Sequence, residues 1–349
     1  MKGTLLVGTA GQGILRSVDD GATWHRLGLK EAIEFDGTVR ALAVDPSAPQ
    51  RILAGADAGL CLSTDGGAHF SRVDSPMNGL TVWALAFDPV DPSIVYAGTG
   101  APSRGRIYRS RDGGLSWTTL PVELPEFCKG VNRPRILSIA VHPQRHEEVW
   151  FGVEEGGAWR SSDFGDHWSR VDTEASGISN SDIHAIAVLP ALDEGPDAAP
   201  ARHLILTVNS VYTSDDAGES WSGVASKSRF DGMYYTRTVQ PVDAEGRTLL
   251  LAIGDATPGT RSGIWRSTDR GRSWARTLLH SAPNSTFWAF GTHAADRSLV
   301  LAGTKYGDLF RSTDGGASWF KDWRAFSEIT SVAWTPYEAP VTAHPQSIN

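Results

Sequence analysis

An all-β protein, a seven-bladed β-propeller, is the fold this sequence predicts, and three observations predict it. A turn-forming segment, Ser-x-Asp-x-Gly-x-(Ser/Thr/His)-aromatic, occurs seven times: "SVDDGATW" from Ser17, "STDGGAHF" from Ser63, "SRDGGLSW" from Ser110, "SSDFGDHW" from Ser161, "SDDAGESW" from Ser214, "STDRGRSW" from Ser267 and "STDGGASW" from Ser312. The closing aromatics stand at 24, 70, 117, 168, 221, 274 and 319, so the copies are 45 to 53 residues apart, the period of propeller blades rather than of most helical repeats. Between the turns a short apolar strand, usually closed by proline, also recurs seven times: 39–46, 82–89, 136–143, 183–190, 234–241, 287–294 and 329–336.

Each element has a local cause. The apolar strand carries small residues at its third and fifth places, as in Ala41 and Ala43 or Ala84 and Ala86, which suits the crowded innermost strand of a blade, and its proline stops ladder pairing there. A second strand follows ("RILAGA", "IVYAGT", "LLLAIG", "LVLAGT"), then a third that leads into the turn. In the turn, Ser and Asp side chains bond backbone groups two residues on and Gly accepts positive φ. The aromatic pins the turn to the sheet, and six of the thirteen tryptophans take that position. A short outer strand completes the unit. The chain starts on a second strand and has a spare inner strand, Ile329 to Pro336, at its far end. Pairing of the two closes the ring and leaves no open edge.

Composition agrees with a single β-rich domain spanning 1–349. Forty per cent hydrophobic residues supply a core, and 37 glycines with 19 prolines supply turns. A net charge of −8 without a basic stripe argues against nucleic acid or an anionic membrane as partner. Cys61 and Cys128 have no disulfide or zinc spacing, so reduced thiols are expected. The N-terminal apolar run is too short for a signal peptide and no stretch reaches about 18 apolar residues, so a cytoplasmic monomer is the expectation. No cofactor is indicated. Nor is a metal, since His142 and His146 flank a turn with no third ligand in view.

The seven turns resemble the Asp-box, or BNR repeat, over nearly the whole chain. The resemblance implies a propeller but no single activity, because Asp-box propellers occur in sialidases, xyloglucan-active glycoside hydrolases, sortilin-type receptors and photosystem II assembly factors. A sialidase would use Arg40, Arg135 and Arg237 on a substrate carboxylate, with Tyr234 or Tyr235 and Glu34 as a nucleophile pair. The sialidase Phe-Arg-Ile-Pro motif is absent, however, and "NRPRIL" at 132–137 only scrambles it.

Closure assigns the faces. The Ser-x-Asp turns occupy one rim, and the loops entering the inner strands open at the other, where insertions 99–106 and 254–263 also fall. Loops on a rigid scaffold collect binding residues. The segment 190–203 projects on the turn side and reads as a mobile polar excursion. At the second place of the inner strands the sequence gives Arg40, Trp83, Leu137, His184, Tyr235, Trp288 and Thr330. Aligned on the closing prolines, the fourth place is apolar in six strands and Arg237 in the other, a cation that needs Asp231, Asp255 or an anionic ligand.

The expected ligand-binding set is Arg40, Trp83, Arg135, His184, Tyr234, Tyr235, Arg237 and Trp288, converging on the channel mouth. From these residues the first reading is a noncatalytic binding or assembly scaffold that holds a peptide, a protein partner or an anionic small molecule. The second is a glycoside hydrolase-like enzyme acting on a glycan or small polar substrate in the same funnel. It would draw two acids from Glu34, Asp36, Glu154, Glu155, Asp182, Asp231, Asp255 and Glu328.

Overall fold

The second strands are apolar without alternation, the pattern of a strand buried on both faces, and they are buried throughout, as in Ile52–Ala56 and Leu249–Gly254. They can be so because every blade is sandwiched between two others. The computed structural model describes residues 3–28, 37–172, 174–192 and 199–336, and these form seven antiparallel sheets. The innermost strands are Val39–Val44, Thr81–Phe87, Ile136–Val141, Ile183–Leu189, Tyr235–Pro241, Phe287–Gly291 and Ile329–Pro336. Each lies against the next, and Ile329–Pro336 touches both Phe287–Gly291 and Val39–Val44, so the seven complete a circle.

Closure is by the strand pairing the sequence predicted. Ile329–Pro336 pairs antiparallel with Gly3–Thr9, placing Trp334 opposite Leu5 and Val332 opposite Val7. That blade, which we number 1, therefore takes its inner strand from one end of the chain and the rest from the other. Blades 2 to 7 follow in chain order. Blade 7 carries an additional outer strand, Leu278–Leu279, parallel to Ser318–Ala325, which covers an edge otherwise open to pairing. The core is not central but divided into layers between neighbouring blades. One such layer joins Leu6 and Ile14 of blade 1 to Val39, Ile52 and Phe70 of blade 2. Cys61 is buried, Cys128 half-buried, and neither is in a disulfide.

The Ser-x-Asp turn works through paired acceptors. Asp112 Oδ1 accepts from Ser110 Oγ at 2.7 Å and from the Ser116 amide at 2.9 Å, while Oδ2 accepts from Ser116 Oγ. What little burial it has opposes ionisation, but the donors from Ser116, Ser110 and Leu115 hold its carboxyl down to about 2. Gly114, at φ +96°, brings the backbone onto Leu53 of the preceding blade, where a Cβ would come within 2.9 Å. Trp117 donates Nε1 to the Gly114 carbonyl at 3.0 Å. Asp112→Ala is expected to cost about 1–3 kcal/mol, seen as a lower urea midpoint at constant slope. An unchanged midpoint would show that the turn only decorates the blade.

One alignment is corrected by the register. Every inner strand has a bulge at its second or third residue, where one residue is skipped in the pairing to the second strand: Arg40, Trp83, Leu137, His184, Arg237, Trp288 and Thr330. In blade 6 the bulged residue is Arg237, not Tyr235. Pro241 sits inside the strand there, two places before the prolines of the sister strands, so alignment on proline displaced the strand by two. Arg237 is the counterpart of Arg40, and the fourth place of blade 6 is Val239, apolar like the other six.

Candidate functional site

A bulge re-aims the skipped side chain, and the seven bulges aim theirs at the channel. Together they ring a cavity of about 1080 Å³, lined among others by Arg40, Trp83, Arg135, His184, Tyr235, Arg237 and Trp288. Ala101, Pro102 and Thr257 from the two insertions, and Asn132 and Arg133 from the loop entering blade 4, also line it. Of the expected set only Tyr234 stays outside; it is 43% exposed, and its amide bonds the Gly254 carbonyl.

Two cation-aromatic groups face each other across the channel. On the side of blades 2 to 4, the Arg40 guanidinium lies 4.2 Å from the Trp83 ring centroid and Arg135 lies 5.0 Å from it. Trp83 is fixed by donating Nε1 to the Ala101 carbonyl at 2.9 Å. Both arginines are neutralised: Arg40 Nε meets Asp57 Oδ1 at 2.9 Å, and Arg135 Nη1 meets Glu154 Oε2 at 2.7 Å. On the side of blades 6, 7 and 1, Arg237 lies 3.8 Å and Lys305 4.3 Å from the Trp288 centroid. Lys305 pairs with Glu328; burial nonetheless pushes its ammonium below the ordinary lysine range.

Between the groups stands His184, 4% exposed. Its Nδ1–H donates to the Thr236 carbonyl at 2.6 Å, and Nε2 faces Asp182 Oδ1 at 3.5 Å. Glu154, Asp182 and His184 each bring a ligand atom within 4.8 Å of the others, a donor set of two carboxylates and an imidazole that could hold a divalent cation. Arg135 on Glu154 competes for that role. The sequence weighed only His142 and His146, and this set escaped it because its members lie on two blades.

The other acids separate clearly. Glu155 accepts from the Gly130 amide, Asp231 pairs with Arg276 at 3.1 Å, and Asp255 is bound by its own loop through the Thr260 and Arg261 amides. Glu34 and Asp36, like 193–198 within the predicted excursion, lie outside the described residues. Lys305 was missed, although a signal existed. The residue just past each second strand reads Ala10, Asp57, Ala101, Glu154, Val208, Asp255 and Lys305, and three of its four charged members form mouth ion pairs.

No family model matches the chain. Among curated proteins it is 29% identical over 294 residues to a xyloglucanase of Hypocrea jecorina, covering 74% of this chain and 34% of that protein. It is also 29% identical over 277 residues to a xyloglucanase of a Paenibacillus species, covering 69% and 26%. The chain thus spans about a third of the length of the curated relatives it matches. Among solved structures, an ancestral GH74 enzyme superposes with a TM-score of 0.55 at 16% identity, over 94% of this chain and 55% of the other. YCF48 from Cyanidioschyzon merolae superposes with 0.56 at 13%, over 84% and 87%. These two likenesses show the propeller fold alone. The xyloglucanase relatives overturn the expectation of a noncatalytic scaffold and favour the second of the two readings, a glycoside hydrolase.

Proposed function

We propose that the chain is a glycoside hydrolase that takes a glycan of the xyloglucan class into the channel mouth. The observation that carries this is the identity to xyloglucanases along about three quarters of the chain. The mouth carries the residue type such chemistry uses, since two carboxyl groups, Glu154 and Glu328, line it. Glu154 belongs to blade 4, and in a ring of seven the position opposite blade 4 is the junction of blades 7 and 1, where Glu328 stands. Both line the cavity.

Their neighbours divide the roles. Arg135 occupies Oε2 of Glu154, so the other oxygen serves as base or nucleophile. Glu328, paired with Lys305, is the carboxyl group on the far side, placed to act at the leaving oxygen. The test is release of reducing ends from xyloglucan and its oligosaccharides. The purified chain should release them, and Glu154→Gln and Glu328→Gln should each slow release by about a hundredfold or more at unchanged melting temperature. Absence of release from both polymer and oligosaccharide, or full activity in the double variant, would overturn the proposal.

A further inference from the structure

Blades 2 and 6 carry the same residue pair at the mouth but use it differently. In blade 2 the bulge arginine, Arg40, is neutralised by Asp57, the residue just past the second strand. In blade 6 the bulge arginine is Arg237 and the residue just past the second strand is Asp255. The insertion 254–263 has taken that acid away. Asp255 Oδ1 accepts from the Thr260 amide at 2.9 Å and the Arg261 amide at 3.1 Å, Oδ2 accepts from Thr260 Oγ1 at 2.9 Å, and Arg261 Nε stands 3.5 Å from Oδ2. The other candidate acid, Asp231, is held by Arg276.

Arg237 therefore has no ion pair among the described residues. It rests on the Trp288 ring at 3.8 Å, half-buried, with Nε enclosed and without a hydrogen-bond partner. It lines the cavity beside Lys305. A cation drawn out of water without a counter-charge costs several kcal/mol, while stacking on an indole returns only about 0.5–2 kcal/mol. Glu154 and Asp182 act on it from a distance without pairing to it, and the direct partner is left to a group in the channel. A guanidinium offers a planar fork of donors that matches a carboxylate with two parallel hydrogen bonds.

We propose that Arg237 anchors a carboxylate of the glycan in the channel, so that a xyloglucan-class oligosaccharide bearing a uronic acid binds more tightly than its neutral counterpart. This rests on the reading of the mouth as a glycan site and deepens it. Trp288 supports the guanidinium, Lys305 adds positive charge, and Glu154 and Glu328, both already paired, leave the anchor to the ligand.

The experiment is calorimetric titration of the full chain with a glucuronate-bearing oligosaccharide and with the same oligosaccharide after reduction of its carboxyl group, with sulfate and inorganic phosphate as competitors. The acidic form should bind at least about tenfold more tightly. That preference should vanish in Arg237→Met and survive in part in Arg237→Lys. The comparison within the wild-type chain needs no variant, so it stands even if a substitution unfolds the blade. Equal affinity for the two forms, or a preference that persists in Arg237→Met, overturns the anchor. Displacement of the uronate by sulfate or phosphate at equal concentration overturns the carboxylate assignment. Hydrolysis of neutral xyloglucan without any preference for uronate would defeat the anchor alone. Tight uronate binding with no hydrolysis of any glycan would defeat the hydrolase and leave the anchor standing.

Discussion

A chain cut after Glu328 should lose its cooperative unfolding transition. The cut removes Ile329–Pro336, which pairs with Gly3–Thr9 from Gly3 opposite Pro336 to Thr9 opposite Ile329. Ile329 and Trp334 are fully enclosed and Val332 nearly so. They pack with Leu5, Val7 and Leu15 of blade 1 and with Leu301, Leu309 and Phe326 of blade 7. Burying side chains of this size is worth about 1.5–3 kcal/mol each, so three of them approach the whole stability of a typical domain. The truncated chain would also expose the Gly3–Thr9 ladder, an edge prone to pairing with other copies. Urea titration and sedimentation would check this. A monomer with a single transition at the wild-type midpoint would mean that the ring does not need its clasp. Trp334→Ala, which leaves the strand in place, should cost about 3–5 kcal/mol.

Glu148→Leu should come second, at about 3–5 kcal/mol, because it empties the centre of a buried charged network. Glu148 is 2% exposed. Oε1 accepts from Trp150 Nε1 at 2.7 Å and from His203 Nε2–H at 2.9 Å, and Oε2 accepts from Arg145 at 2.8 Å. His203 belongs to blade 5, so this carboxylate ties two blades together. Burial alone would raise its pKa, but the bonds from His203, Arg145 and Trp150 outweigh burial and hold it well below the usual glutamate range.

Beside it, His142 is pushed down to about 4, by burial first and by Arg145 second. Its Nδ1 accepts from the Gln144 and Arg145 amides at 3.1 and 3.0 Å and has no room for a proton. For both groups the unfolded chain binds protons more readily, so stability is greatest above about pH 6.5 and falls on acidification. The share of His142 is lost between about pH 6.5 and about 4, and that of Glu148 from about pH 4.3 downward. Melting temperature against pH should show the first decline in the wild type and a much shallower one in His142→Asn, whose amide oxygen accepts the same two donors. Parallel curves would assign the acid sensitivity elsewhere.

The blades were legible in the sequence because each is written seven times, and a repeat corrects its own noise. The closure was legible for the same reason, as one strand short at one end and one to spare at the other. Where a single copy departs from the rest, that protection is lost. Pro241 stands two places early, and it displaced Arg237 from the bulged place of its strand to the fourth. His142 was weighed only as a metal ligand and set aside, although it stands where Asp45 and Asp88 stand and caps the following turn as they do. Ion pairing was the least legible feature. Whether Asp57 or Asp255 reaches its arginine depends on the length of a neighbouring loop, and Glu148 meets His203 only because two blades happen to touch.

The bulges also bear on how a molecule of this design changes over evolutionary time. At each of the seven places the skipped residue has no partner in the strand alongside, so a substitution there leaves the ladder intact. Arginine, tryptophan, leucine, histidine and threonine all occupy the same backbone site in different blades of this one chain. The recognition surface can therefore be rewritten residue by residue without disturbing the strand pairing that holds each blade. Two descendants of a common ancestor could keep superposable rings and bind ligands with no chemistry in common.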